Sequence, residues 1–252
     1  WHNAPEAVLS QCSVARLVEA DGDYSRAFDE YQYLISYFPG QFDYFAALDR
    51  QYRCANLLRT ANRRFLGIKM ATTETVRLMY ERILLNGPHW EKAPEIALLI
   101  GALHEEEKEY SDAALCYERM ANLYPGTDKA RDGAYRAALC RYGFTHEHPR
   151  DEHARHLAIT AVVSFLNNFP LDPRCEELKV YQSEITGQEE DASYAQAYFY
   201  DNNRSDRQAA IVAYQDFLRR YPNSPHAKTA AARLAKLEQG APTLGNDGKG
   251  TK

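Results

Sequence analysis

Five segments of this chain end on the same punctuation, an aromatic or small residue followed by proline, at Pro39, Pro88, Pro125, Pro170 and Pro222. Aligned on those prolines, the same offsets carry the same residue types. Twelve before stand Ala27, Val76, Ala113, Ala158 and Ala210; eight before stand Tyr31, Tyr80, Tyr117, Val162 and Tyr214. Five before stand Leu34, Ile83, Met120, Phe165 and Phe217; one before stand Phe38, Gly87, Tyr124, Phe169 and Tyr221. Steps of four, three and four put all four positions on one face of a helix with 3.6 residues per turn. Proline then stops the helix, because it lacks an N–H and restricts the residue before it. Turn formers follow, as in Pro125-Gly-Thr-Asp and Pro222-Asn-Ser-Pro. Five copies aligned at four positions set aside the alternative of five unrelated amphipathic helices.

Each of these helices reads as the second of a pair. The small residue at its start lets the preceding helix approach closely, and Gly101, twelve before Ala113, is the matching small residue on the partner. This pattern is similar to the tetratricopeptide repeat, whose unit is about 34 residues. The expected fold is therefore all-α: a tetratricopeptide-type superhelix of five hairpins plus a C-terminal capping helix. The hairpins fall at about 4–38, 42–86, 92–124, 128–169 and 174–221, and the cap at 225–238. Within them the fourth pair reads as helices over 128–142 and 151–169, separated by the loop Gly143–Asp151. One repeat domain is expected over 1–239, with a flexible Gly-rich tail over 240–252.

Composition narrows the function. A net charge of −5 argues against a general nucleic-acid binder, which would carry excess Lys and Arg. No apolar run is long enough to span a bilayer. The five cysteines, Cys12, Cys54, Cys116, Cys140 and Cys175, form no C-x-x-C pair. Most sit among apolar residues in helical patterns and read as small buried side chains, with one disulfide between neighbouring helices left open.

The last third carries the most specific signal. The run Glu177–Ala235 has an aromatic stretch, Tyr198-Phe199-Tyr200, closing a long helix. A short polar turn leads into Ala209-Ala210, Phe217-Leu218 and Tyr221-Pro222-Asn223-Ser224. This resembles the BamD family, outer-membrane lipoproteins that help assemble β-barrel proteins. Pro94–Phe169 is similar in a more general way, through Tyr110-Ser-Asp-Ala-Ala and Tyr124-Pro-Gly-Thr. The chain departs from the family by one additional hairpin at the N-terminus and by the Gly143–Asp151 insertion, and none of its cysteines follows a hydrophobic signal segment. The resemblance implies a non-catalytic scaffold at the periplasmic face of the outer membrane, held there through an N-terminal lipid anchor upstream of Trp1. It also implies two protein partners. The central barrel-assembly subunit would contact Tyr181–Arg204, and segments of unfolded outer-membrane proteins would contact the groove of the first three hairpins.

First helices line the inner face of such arrays, and Arg and aromatic side chains suit an interface because they combine contact area with a polar end. The protein-binding candidates are Arg16, Arg50, Arg53, Tyr135, Arg136, Phe199, Asn202 and Arg204, with Arg141 as a further arginine on the same kind of face. Two other readings stay open. One is a different periplasmic tetratricopeptide adaptor in cell-envelope or cell-wall coordination. The other is a metal-binding protein or enzyme built on His146, His148, His153 and His156, since short His-rich tracts bind transition metals. H-E-x-x-H is absent there, and no phosphate loop, G-x-S-x-G or other catalytic constellation occurs, so neither an enzyme nor a cofactor is expected.

Overall fold

A computed structural model of the protein describes residues 5–64, 72–202 and 206–239. Among them are eleven helices and no strand: α1 (Pro5–Ala20), α2 (Tyr24–Tyr37), α3 (Tyr44–Arg64), α4 (Thr73–Asn86), α5 (Ala93–Glu106), α6 (Tyr110–Leu123), α7 (Asp128–Glu147), α8 (Glu152–Asn168), α9 (Cys175–Asn202), α10 (Arg207–Arg220) and α11 (Ala227–Gln239). The fold is an all-α, tetratricopeptide-like helical repeat. The tail over 240–252 and Arg204 lie outside the described residues.

The Pro-anchored face is the core. At twelve, eight and five residues before the prolines, all fifteen side chains are buried, none more than 4% exposed. Fully burying a large apolar side chain is worth about 1.5–3 kcal/mol, so these positions supply much of what holds each second helix down. The residue before proline does a different job. Phe38, Gly87, Tyr124 and Tyr221 are C-caps whose N–H groups donate to the carbonyls of Leu34, Ile83, Met120 and Phe217. Their backbones have already left the α region, as the following proline requires. Helix starts are fixed by side-chain caps: Asp23, Asp43, Thr72, Thr127, Asp151 and Asp206 each accept a backbone N–H three residues on.

Close approach between helices follows from missing Cβ atoms. A Cβ on Gly101 would run into the Tyr117 ring, so α5 and α6 meet at the distance only glycine allows. Gly133 on α7 does the same against Met120, whose methyl occupies the place a Cβ would take. In the α1–α2 turn Gly22 has φ of +85°; at the equivalent place between α5 and α6, nine residues before the hairpin tyrosine, stands Lys108 with φ of +63°. An L-residue there carries a steric cost that Gly22 avoids.

The fourth pair differs from its expected outline. α7 does not stop at 142 but runs to Glu147, leaving only 148–151 as connection. Gly143 does not break the helix, because its backbone is not forced to positive φ and the Tyr110 ring sits 3.9 Å from where a Cβ would be. Thr145 is buried, and the stop comes from Pro149, which disfavours helical backbone at His148.

By backbone contacts the chain divides into two compact units, 1–144 with 167–169, and 145–166 with 170–252. In the first, the core is continuous from Val8 and Ala15 through Tyr31, Leu48, Tyr80 and Ile83 to Ile96 and Leu103. In the second, Ala197, Tyr214, Phe217 and Ala230 form a core joining α9, α10 and α11, with Tyr194 and Leu234 against it. The five cysteines carry thiols, and none is in a disulfide. Cys54 and Cys140 are buried, and burial pushes each thiol up to about 12.

Candidate protein-binding site

The hairpin tyrosines are buried in their rings but not in their chemistry. Each buried phenol needs an acceptor, and the first helix of its own hairpin provides one. Tyr31 donates to Glu19 at 2.8 Å, Tyr80 to Asn56 at 2.7 Å, Tyr117 to Glu105 at 2.9 Å and Tyr214 to Asp201 at 3.3 Å. Burial first, then the facing carboxylate, drives the Tyr31 and Tyr117 phenols well above their ordinary value. The same two causes push Tyr214 up to about 12. These hydroxyls remain protonated donors at any physiological pH.

The carboxylates then hold arginines, three of which, Arg50, Arg53 and Arg136, the sequence offers as binding residues. Arg50 and Arg53 of α3 both reach Glu19, at 3.4 and 3.5 Å. Arg136 of α7 reaches Glu105 at 3.2 Å and lies over the Tyr117 ring at 5.9 Å. Arg233 of α11 clamps Asp201 at 2.5 and 2.8 Å. That hydrogen bonding is the main reason the Asp201 carboxyl titrates below its ordinary 3.8. Arg50, Arg136 and Arg233 each stand nineteen residues after their tyrosine. The arrangement recurs as tyrosine, acid, and arginine from the element after the hairpin. Glu19 and Asp201 are almost fully buried, while Arg50, Arg136 and Arg233 keep about half of their surface in solvent. The guanidinium is thus anchored on its inner edge and open on its outer one, a suitable posture for contacting a partner.

Arg16 is exposed on α1. Tyr135 is half-buried beside Arg136 on α7. Phe199 is 42% exposed near the end of α9, and Asn202 is exposed, with its side-chain amide donating to the Tyr198 carbonyl at 3.1 Å. Arg141 is not a surface group: it is buried, and its guanidinium grips Glu118 of α6 through two hydrogen bonds of 2.9 Å. Arg50 and Arg53 are brought together on Glu19; Arg16 is on the same helix as that acid but away from its cluster of partners.

Sequence reasoning missed the concavity nearest to these arginines. Asp49, Tyr52, Arg53, Asn56, Leu57 and Lys92 line an open cleft of about 350 Å³ along α3. Lys92 pairs with Asp49 and sits 5.5 Å from the Tyr52 ring, and Tyr52 donates to Glu95 at 2.9 Å. The cleft joins an aromatic floor to both signs of charge, as a surface reading a peptide needs. Asp49, Tyr52, Arg53, Asn56 and Leu57 fall at steps of three and four, so the helical period around Arg53 was the signal that could have found it.

The histidines form no metal-like cluster among the described residues. His146, His148, His153 and His156 are all exposed, two at the end of α7 and just after it, two on α8. The donor atoms that do converge, within 4.8 Å of one another, belong to His104, Glu109 and Asp112 at the α5–α6 turn. Within that group His104 Nδ1 already meets Glu109 at 2.7 Å. The sequence hid it because the turn at Lys108 separates its members.

No described helix is long and apolar enough to cross a membrane. A family model described as YfiO, outer membrane lipoprotein, matches residues 86–241, from the end of α4 through α11. No curated protein matches the chain at a significant level.

Proposed function

Because this chain belongs to the YfiO (BamD) family of outer membrane lipoproteins, we propose that it is a non-catalytic scaffold in the assembly of outer-membrane β-barrel proteins. It works at the periplasmic face of the outer membrane, held there by an N-terminal lipid anchor. The single observation carrying this reading is the family match itself, which spans seven helices and more than half of the chain.

On this reading residues 1–239 act as one repeat array. Arg16, Arg50, Arg53, Tyr135 and Arg136 serve the inner face that takes segments of unfolded outer-membrane proteins. The geometry favours that role for Arg50, Arg53 and Arg136, whose outer edges stay open while the hairpin acids fix their position. Preorganised arginines lose less side-chain freedom on binding than free ones. Phe199, Asn202 and Arg204 serve the second partner, the central barrel-assembly subunit, along Tyr181–Arg204. Tyr198 and Phe199, exposed at the end of α9, are the kind of aromatic anchor such a contact uses.

The test is co-purification from native membranes. The barrel-assembly subunit should come down with the wild-type chain. It should be lost with Phe199→Glu and Arg204→Glu, while the helical circular dichroism is unchanged. Recovery of a cell-wall-synthesis partner in its place would move the chain to the envelope-adaptor reading. An intact barrel-assembly complex after both changes would exclude the 181–204 surface as the contact.

A further inference from the structure

The second unit holds a charged group for which the scaffold reading has no use. Arg155, on the first turn of α8, is only 4% exposed. Its Nη1 donates to the Pro149 carbonyl at 2.7 Å, while its Nε has no hydrogen-bond partner. Among the described residues no carboxylate lies within ion-pair distance of it. A buried guanidinium without a counter-charge is costly, and such groups are ordinarily paired. Across the same cleft, Glu189 of α9 carries the opposite deficiency: its Oε1 is buried and has no partner.

Both line one cleft of about 210 Å³ between the start of α8, the middle of α9 and the end of α10. Glu152, His156, Ser193, Gln196, Arg220 and Tyr221 complete its polar wall. Arg220 is already committed, to Asp216 at 2.7 Å and to the Ser193 hydroxyl at 3.3 Å, so Arg155 is the guanidinium left over. The free edge of Arg155 is a fork that matches a carboxylate or phosphate. Glu189, with Glu152 beside it, calls for an ammonium. A simple anion would satisfy Arg155 but meet two carboxylates, and a simple cation would have the converse difficulty.

We propose that this cleft is a binding site for a small zwitterion, its anionic oxygens on Arg155 and its ammonium on Glu189. Two sources share that chemistry: a free α-amino acid, and the phosphoethanolamine head group of a lipid. The site is separate from the α3 cleft and from the aromatic end of α9, and it stands on side-chain geometry alone, so the loss of either partner assignment leaves it intact.

The experiment is a titration of the ¹⁵N-labelled protein, following the backbone amides of Ser193 and Gln196. The probes are glycine, glycerophosphoethanolamine, acetate and methylammonium, each raised until the shifts saturate or the solubility limit is reached. At least one zwitterion should give saturable shifts at these amides, and the one that binds tighter identifies the source. Acetate and methylammonium should bind at least about tenfold more weakly than that zwitterion, since each satisfies one charge and meets the other unpaired. Glu189→Gln should bring the zwitterion down to the affinity of acetate, and Arg155→Lys should weaken it by about tenfold, because a lysine cannot offer the planar fork. Arg155 is buried and its variant is at risk of misfolding, so the half-buried Glu189 change carries the test by itself. Absence of saturable shifts with both zwitterions overturns the proposal. So does acetate or methylammonium binding as tightly as either zwitterion, or a Glu189→Gln protein that binds zwitterions unchanged.

Discussion

In the first and third hairpins the tyrosine hydroxyl meets a carboxylate, and that carboxylate holds an arginine from the next hairpin: Tyr31–Glu19–Arg50 and Tyr117–Glu105–Arg136. In the second, Tyr80 meets the neutral Asn56, and the position nineteen residues on is Leu99, packed against the core. Charge is present or absent at both ends together. Where the acceptor carries no charge, an arginine opposite would be unpaired, and an apolar side chain does better there. The second hairpin uses a different ion pair beside its tyrosine, Arg59 with Glu106 at 3.0 Å, both of which act on the Tyr80 phenol, and a further pair of Lys92 with Asp49. Residues that look like free interaction groups in the sequence are thus joined to the packing of the array, in a way that depends on which hairpin they serve.

The largest expected effect comes from removing an acid. Glu19→Ala orphans the buried Tyr31 hydroxyl and two arginines, and should cost about 2–3 kcal/mol, against about 1 kcal/mol for Asn56→Ala, where one neutral hydrogen bond is lost. Native-state hydrogen exchange in α2 and α4 reads each locally, which suits a chain with two compact units. Equal losses at both sites would remove the distinction.

Next comes close packing. Gly101→Ala forces a Cβ into the Tyr117 ring and should destabilise by about 1–3 kcal/mol. Gly143→Ala, with open contact distance and ordinary backbone, should stabilise α7 by about 0.5–1 kcal/mol. Urea denaturation measures both, and a neutral Gly101→Ala would contradict the close approach of α5 and α6. At the α5–α6 turn, Lys108→Gly relieves the positive φ that Gly22 adopts without strain, and should raise stability by up to about 1 kcal/mol.

The smallest effect is one of pH, in the charged link of the last hairpin, Tyr214–Asp201–Arg233. The folded Asp201 carboxyl titrates below its ordinary 3.8, chiefly through Arg233. Its contribution is therefore fully present above the unfolded value and is lost as pH falls through the lower folded one. Asp201→Asn should cost about 0.5 kcal/mol near neutrality, Arg233 being partly solvated. That difference from wild type should vanish in acid, which flattens the acid limb of unfolding followed by circular dichroism. Parallel pH profiles for the two proteins would show that the Asp201–Arg233 pair adds nothing.

Much of the fold was legible because its period is local. The four Pro-anchored offsets lie within one helix, and Gly101 lies on the helix just before, so sequence spacing reports them directly. The acids were harder. Glu19 and Glu105 both stand twelve before their tyrosines, but Asn56 stands twenty-four before Tyr80, because α3 and its following segment are longer. Extending the Pro-anchored alignment back to the acid and forward to the arginine would have recovered two of the links, and not the interrupted one. Arg141 read as a surface arginine because nothing in its own helix betrays Glu118 on α6. The lengthened α7 was hidden by Gly143, whose usual meaning as a helix end gives way to packing beside Tyr110. Arg155 and Glu189, thirty-four residues apart on different helices, carry no joint signal in the sequence at all.

The direct test of the hairpin-to-hairpin link is a double-mutant cycle on Glu105→Gln and Arg136→Gln, with unfolding free energies from urea. We expect a coupling of about 0.5–1 kcal/mol, modest because Arg136 is half exposed and screened by solvent. Additive single effects, with no coupling beyond about 0.3 kcal/mol, would contradict the link and return Arg136 to the status of a free surface arginine.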